Sequence, residues 1–150
     1  RLVRVGVRSP GGATERTYRL FIEEEPPAAT PGSPAAVTFY FRFGVPIFVA
    51  PSTPRPVLEV GEPTLTAGRL ALEGRNSGNQ HFRLNKLTVN DGATFSREIA
   101  GWYSLAGTRR TYTFTIPPEA CRQARTLSIK AEGEVVNFER RLEVDPARCG

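Results

Sequence analysis

The stretch VTFYFRFGVPIFVAP, residues 37–51, decides how the rest of the chain is read. From Val37 to Val49 it holds four Phe, one Tyr and a single charge, Arg42. That is the composition of a β-strand that is apolar on both faces, yet Pro46 sits in its middle. Proline has no N–H to give to a ladder, so within sheets it is confined to edges, bulges and first residues. The sequence therefore predicts a long hydrophobic strand at a sheet edge. Soluble proteins normally avoid this arrangement, because an unpaired apolar edge invites a second chain to pair with it. Either another part of the protein covers the strand, or pairing is its purpose.

Working outward, period-two alternation dominates the whole chain. Val3, Val5 and Val7 alternate with Arg4, Gly6 and Arg8, and Tyr18, Leu20 and Ile22 alternate with Arg19, Phe21 and Glu23. Both segments are predicted strands, with the turn SPGGATE between them. A Pro/Ala-rich loop at 26–36 leads into the long strand, and PSTPRP at 51–56 follows as a stiff, proline-rich joint of the kind found between domains. After the joint the pattern restarts, with predicted strands at 64–66, 69–75, 81–89, 110–116, 125–131 and 135–144. No segment of ten or more residues shows a capped 3.6-residue period, so the chain is predicted to be nearly all β. Regularly spaced short strands over 57–150 fit an immunoglobulin-like sandwich. Three strands before the joint do not make one, so residues 1–51 are expected to be the last three strands of an incomplete first domain. The chain contains no Met and opens on Arg1 inside a strand-like pattern, which suggests a processed product or a fragment.

The composition bounds the function classes. No run of about 18 apolar residues occurs, so no membrane insertion is expected. The net charge is +5, and 18 of the 20 basic residues are Arg, spread from Arg1 to Arg148. Arginines that alternate with apolar residues along strands look like a solvated face and not a phosphate track, so nucleic acid is not an expected partner. The only His, His81, opens a strand after the turn in NSGNQHFRL and reads as a turn-edge side chain. No Ser, Cys or carboxylate motif for a catalytic triad accompanies it, and Glu23 to Glu25 read as a solvated strand end. No metal-ligand spacing and no phosphate-binding loop occurs. The chain is not expected to be an enzyme, nor to carry a metal or cofactor.

Two Cys, both in the last thirty residues, suggest one disulfide or two idle thiols. If the last hairpin turns near Gly133, Cys121 and Cys149 fall close to facing positions at its base. A Cys121–Cys149 disulfide is therefore predicted, stabilising by roughly 3 to 4 kcal/mol in the chain-entropy estimate and requiring an oxidising compartment.

Taken in order, TYRLFIEEEPP, the proline-rich loop, VTFYFRFGVPIFVAP and LTAGRLALEGRNSGNQHFRL resemble the periplasmic pilus chaperones of the chaperone-usher pathway. The aromatic strand, Pro51 and the N-x-G-N-x-H stretch at Asn76 to His81 are the most specific parts of that resemblance. It implies two immunoglobulin-like domains and a periplasmic location. The partners it implies are pilin-like subunits, which lack their own last strand, and an outer-membrane usher that receives them. The chaperone lends an edge strand to complete the subunit fold. Carried onto this sequence, the lent side chains are Val37, Phe39 and Phe41, with Phe43 a fourth, while Thr38, Tyr40 and Arg42 face the other way. The alternative is that these aromatics fill the chaperone's own core, the role expected of Phe48.

Many members anchor the subunit's terminal carboxylate with an Arg from the first strand and a Lys in the lent strand. Here Pro46 occupies the place of that Lys, and Arg19 of TYRLF is the matching candidate anchor from a branch with Arg in the preceding strand. Its planar fork suits a carboxylate. The bland alternative is a surface strand Arg. The rival from another class is a cell-surface β-sandwich adhesion or ligand-binding module, which would present polar and aromatic loops at one end of a sandwich.

Overall fold

The computed structural model describes residues 2–9, 11–25, 37 and 39–150; the predicted loop at 26–36 and Thr38 lie outside the described residues. With 49% strand against 7% helix, the protein is all-β. Among the described residues its strands form three antiparallel sheets. The first is a two-stranded ribbon of β1 (Arg16–Glu23) and β2 (Arg42–Val49), running in register from Arg16 opposite Val49 to Glu23 opposite Arg42. The other two make a sandwich. In one, β5 (Arg69–Asn76) pairs with β9 (Arg109–Thr115) along one edge and with β3 (Leu58–Val60) and β4 (Thr64–Thr66) along the other. In the second, β11 (Phe138–Glu143), β10 (Thr126–Gly133), β6 (Phe82–Asn90) and β7 (Ser96–Ala100) lie side by side, and β8 (Tyr103–Ser104) also pairs with β6.

Alternation produces a core only where two sheets face each other. Leu70 and Leu72 of β5, with Tyr112 and Phe114 of β9, point inward from one sheet. Leu84, Leu87 and Val89 of β6, with Leu127, Ile129 and Ala131 of β10, meet them from the other. In β6 the apolar spacing breaks between Leu84 and Leu87, and there the ladder to β10 slips, Glu132 facing Lys86 but Gly133 facing Leu84. The extra residue forms a bulge that keeps Leu84 and Leu87 both on the core side. Every apolar side chain of the buried core comes from Leu65 or later.

The strand predicted at Val3 to Val7 is not a strand. Residues 2–7 join no ladder, and Val3, Val5 and Val7 are exposed. Residues 1–51 thus contribute two strands and not three among the described residues. Alternation supplies the propensity but not the partner, and this segment instead borders a cleft of about 350 Å³ over one face of the ribbon, where Val5 and Val7 lie near Leu20, Ile47 and Val49.

Cys121 and Cys149 form the disulfide, with an S–S distance of 2.03 Å and Cα atoms 5.6 Å apart. Its setting differs from a rung across the last hairpin. Cys121 is the buried residue of a short helix, α1 (Pro118–Gln123), and Cys149 follows a 3₁₀ turn at Pro146–Arg148, both beyond the ends of β10 and β11. The helix starts on the Pro-Pro pair at 117–118, where the absent N–H of Pro118 costs nothing. The bridge ties the chain end across the sandwich, beside the β4–β5 turn, whose Gly68 N–H donates to the Arg148 carbonyl.

Candidate functional site

The ribbon has two chemically different faces. On one lie Tyr18, Leu20 and Ile22 of β1 with Phe43, Val45 and Ile47 of β2, since Ile22 faces Phe43 and Leu20 faces Val45. Phe41 and Phe43 stack on that side, with ring centres 6.0 Å apart. Ladder-like pairing continues one residue beyond β2, for the Glu24 N–H donates to the Phe41 carbonyl at 3.0 Å, and the Phe41 N–H donates to Glu24 Oε2. Val37, Phe39, Phe41 and Phe43 are 86%, 78%, 60% and 58% exposed, so nothing described in this chain covers them. Only Phe43 lies within β2; Val37, Phe39 and Phe41 precede it.

The opposite face carries Arg19 beside Pro46 and Phe21 beside Gly44. Arg42 pairs with Glu23 at 2.8 Å and sits 4.2 Å above the Phe21 ring. A Cβ on Gly44 would stand 3.3 Å from that ring, so glycine leaves it room to lie flat on the ribbon. Pro46 lacks only an N–H, and both strands of a two-stranded ribbon have an open edge, so its placement costs no ladder bond that a central strand would need. Arg19 and the aromatic series are therefore on opposite sides of the ribbon, and the structure does not bring them together.

The ribbon is held to the sandwich by the N-x-G-N-x-H stretch. Asn76 is fully buried and saturated: its Nδ2 donates to the carbonyls of Gln80 and Ser104 at 2.8 and 2.9 Å, and its Oδ1 accepts from the Gly78 N–H. Asn79 reaches the other way, donating to the carbonyls of Ala13 and Thr53 and accepting from the Arg55 N–H at 2.7 Å. Gly78 has no alternative, because a Cβ there would collide with the Arg55 carbonyl.

His81 completes the junction. Its Nδ1 is 2.7 Å from Glu15 Oε2, its backbone N–H donates to Glu15 Oε1, and its ring stacks on Phe48 with centres 3.7 Å apart. The Glu15 side chain is 1% exposed. His81 thus sits at the edge of the turn, directly before β6, and its side chain is a further contact between the two halves. Phe48 likewise fills no core of its own half; it leans on His81 and on Tyr103. Sequence reasoning missed Glu15, which lies inside the SPGGATE turn with no pattern to mark it.

Beside this junction the polar face of the ribbon and the sandwich enclose a cleft of about 940 Å³. Four arginines from three strands line it: Arg19 from β1, Arg83 from β6, and Arg109 and Arg110 from β9. Trp102 and Tyr103 share the wall. Arg83 lies over the Tyr103 ring and Arg110 over the Tyr112 ring, while Arg109 pairs with Glu73 at 3.4 Å. Arg19 makes no ion pair among the described residues, and none of the residues lining the cleft is a carboxylate. The arginines that look scattered in the sequence are here gathered.

No group of three or more His, Cys, Asp or Glu residues able to hold a metal ion occurs among the described residues, and no described helix is long and apolar enough to cross a membrane. In comparisons with known proteins, no family model, no curated protein and no solved structure matches the chain.

Proposed function

We propose that this protein is a periplasmic chaperone of pilus assembly that lends an edge strand to pilin-like subunits and passes them to an outer-membrane usher. In this reading residues 1–51 supply closing strands of a first immunoglobulin-like domain, residues 52–56 are the joint, and 57–150 form the second immunoglobulin-like domain. The observation that carries it is the uncovered series Val37, Phe39, Phe41 and Phe43, which leads into β2, a strand with one partner among the described residues. A free strand edge supplies backbone donors and acceptors, and the alternate aromatic side chains supply anchors for pockets in a partner. Arg19, unpaired on the other face, is the proposed anchor for a subunit carboxylate. The Cys121–Cys149 bridge suits the oxidising periplasm. Neither a cofactor nor a reaction is needed, because strand addition is binding alone.

The test is hydrogen exchange on the chain mixed with a pilin-like subunit that lacks its last strand. Protection spreading over residues 37–45 on complex formation is the expected result. Protection confined to loops at one end of the sandwich, with 37–45 unchanged, would favour the adhesion module instead.

A further inference from the structure

We infer that the cleft between ribbon and sandwich is a binding site for a short acidic stretch of polypeptide, held through its side-chain carboxylates by Arg19, Arg83 and Arg110. The inference rests on the strand-lending reading and deepens it: that reading gives Arg19 one terminal carboxylate, whereas the cleft sets Arg83 and Arg110 beside it for side-chain carboxylates. Three observations carry it. Four arginine residues line one cleft that has no carboxylate among its lining residues, and among the described residues only Arg109 of the four makes an ion pair, with Glu73. Like charges gathered without counter-charges repel one another, so the site gains most from an anionic occupant. Arginine forks bind carboxylates with two parallel hydrogen bonds, which several closely spaced Asp or Glu side chains would satisfy.

The occupant is polypeptide and not nucleic acid for two reasons. The arginines are confined to a cleft of about 940 Å³, a pocket's size, and do not form a track along which a phosphate backbone could run. The cleft is also walled by Pro46, Phe48 and Leu105, an apolar lining that suits side chains flanking the carboxylates of a peptide. Trp102, 55% exposed on the same wall, offers a flat apolar surface for a side chain flanking the acidic residues.

Trp102 is the only tryptophan in the chain, so its fluorescence reports from the cleft itself. The experiment titrates the full chain with a hexa-aspartate peptide capped at both ends, following Trp102 emission and the anisotropy of a labelled peptide at low and at physiological salt. A saturable change that weakens with added salt is expected. Arg83→Ala and Arg110→Ala should each weaken binding about tenfold, and Arg83→Lys should fall between, keeping charge but losing the fork. Arg140→Ala, on β11 outside the cleft, should leave the affinity unchanged. Thermal melts should not move for any of these exposed positions.

Four results would overturn the inference: no saturable response, wild-type affinity in the Arg83→Ala and Arg110→Ala variants, response only to a neutral peptide with a free terminal carboxylate, or tighter binding of an oligonucleotide than of hexa-aspartate. The third would leave the Arg19 carboxylate anchor standing while removing this site. Loss of subunit capture by Phe39 or Phe41 variants with hexa-aspartate binding intact would separate the two faces in the opposite direction.

Discussion

The ribbon and the sandwich are written in the same alternating code and meet opposite fates. In β5 the alternate residues Leu70 and Leu72 are at most 1% exposed, whereas in the ribbon Phe43 and Val45, which alternate just as regularly, are 58% and 42% exposed. Neither propensity nor hydrophobicity separates them. What differs is a second sheet at the right distance, which β6 and β10 supply for β5 and nothing described supplies for β2. Alternation states that a strand has an apolar side; only topology says whether the protein or a partner will cover it.

That contrast can be broken first by proteolysis. Limited digestion should remove the residues before the 52–56 joint and leave those from about Arg55 onward resistant, because local opening is cheapest where little apolar surface is buried. Equal protection of both halves in the isolated chain would erase the distinction. Next in size is a pair of truncations. Leu87→Ala, at a fully buried position, should cost about 2 to 5 kcal/mol in chemical denaturation, whereas Phe41→Ala should stay within about 0.5 kcal/mol of wild type. A large loss at Phe41 would mean that the aromatic strand is ordinary core.

The disulfide sharpens the same contrast. Replacing Cys121 and Cys149 by Ser should cost roughly 3 kcal/mol, and the loss should be confined to the sandwich. Ribbon exchange rates that rise as much as sandwich rates would show the two halves to be one cooperative unit. A smaller effect is expected at the junction, where Asn79→Ala leaves backbone groups of Ala13, Thr53 and Arg55 without their partner. About 1 to 3 kcal/mol of ribbon attachment should be lost, seen as faster cleavage near Pro51 with an unchanged sandwich melt.

The smallest effect is one of pH. The N–H groups of Ala93 and Phe95 donate to Asp91 and hold its carboxyl below the usual range. A depressed folded-state value means that this contribution is fully present above the ordinary carboxylate range and lost as pH falls from there through the depressed value. Asp91→Ala should therefore be less stable than wild type at neutral pH, with the gap closing on acidification. A gap independent of pH would assign the effect to turn geometry alone.

Much of the sandwich was legible because its strands are short and bounded by Gly, Asn or Pro. The predicted strand at 64–66 coincides with β4, and those at 69–75, 81–89, 110–116 and 125–131 differ from the observed strands by a residue or two. β3, β7 and β8 went unseen, since SREIA and LEV are too short and too polar to signal themselves. The β6 bulge was readable in principle from the three-residue step between Leu84 and Leu87. Helix α1 was not, for six residues carry no period.

The candidate sites divide in the same way. An exposed aromatic series follows from composition plus one proline. The arginine cleft sets Arg19 beside Arg83, and the junction sets Glu15 beside His81; no local pattern encodes separations of that length.

Whether residues 37–43 serve a partner or the fold is decided by Phe39→Ser and Phe41→Ser. Each variant would be co-purified with a strand-deficient pilin-like subunit, and its thermal melt measured in parallel. Capture should be lost, a change of roughly 2 to 4 kcal/mol in binding for each buried anchor, with melting temperatures at the wild-type value. Variants that melt early while their folded fraction still captures the subunit would mean that residues 37–43 serve the fold.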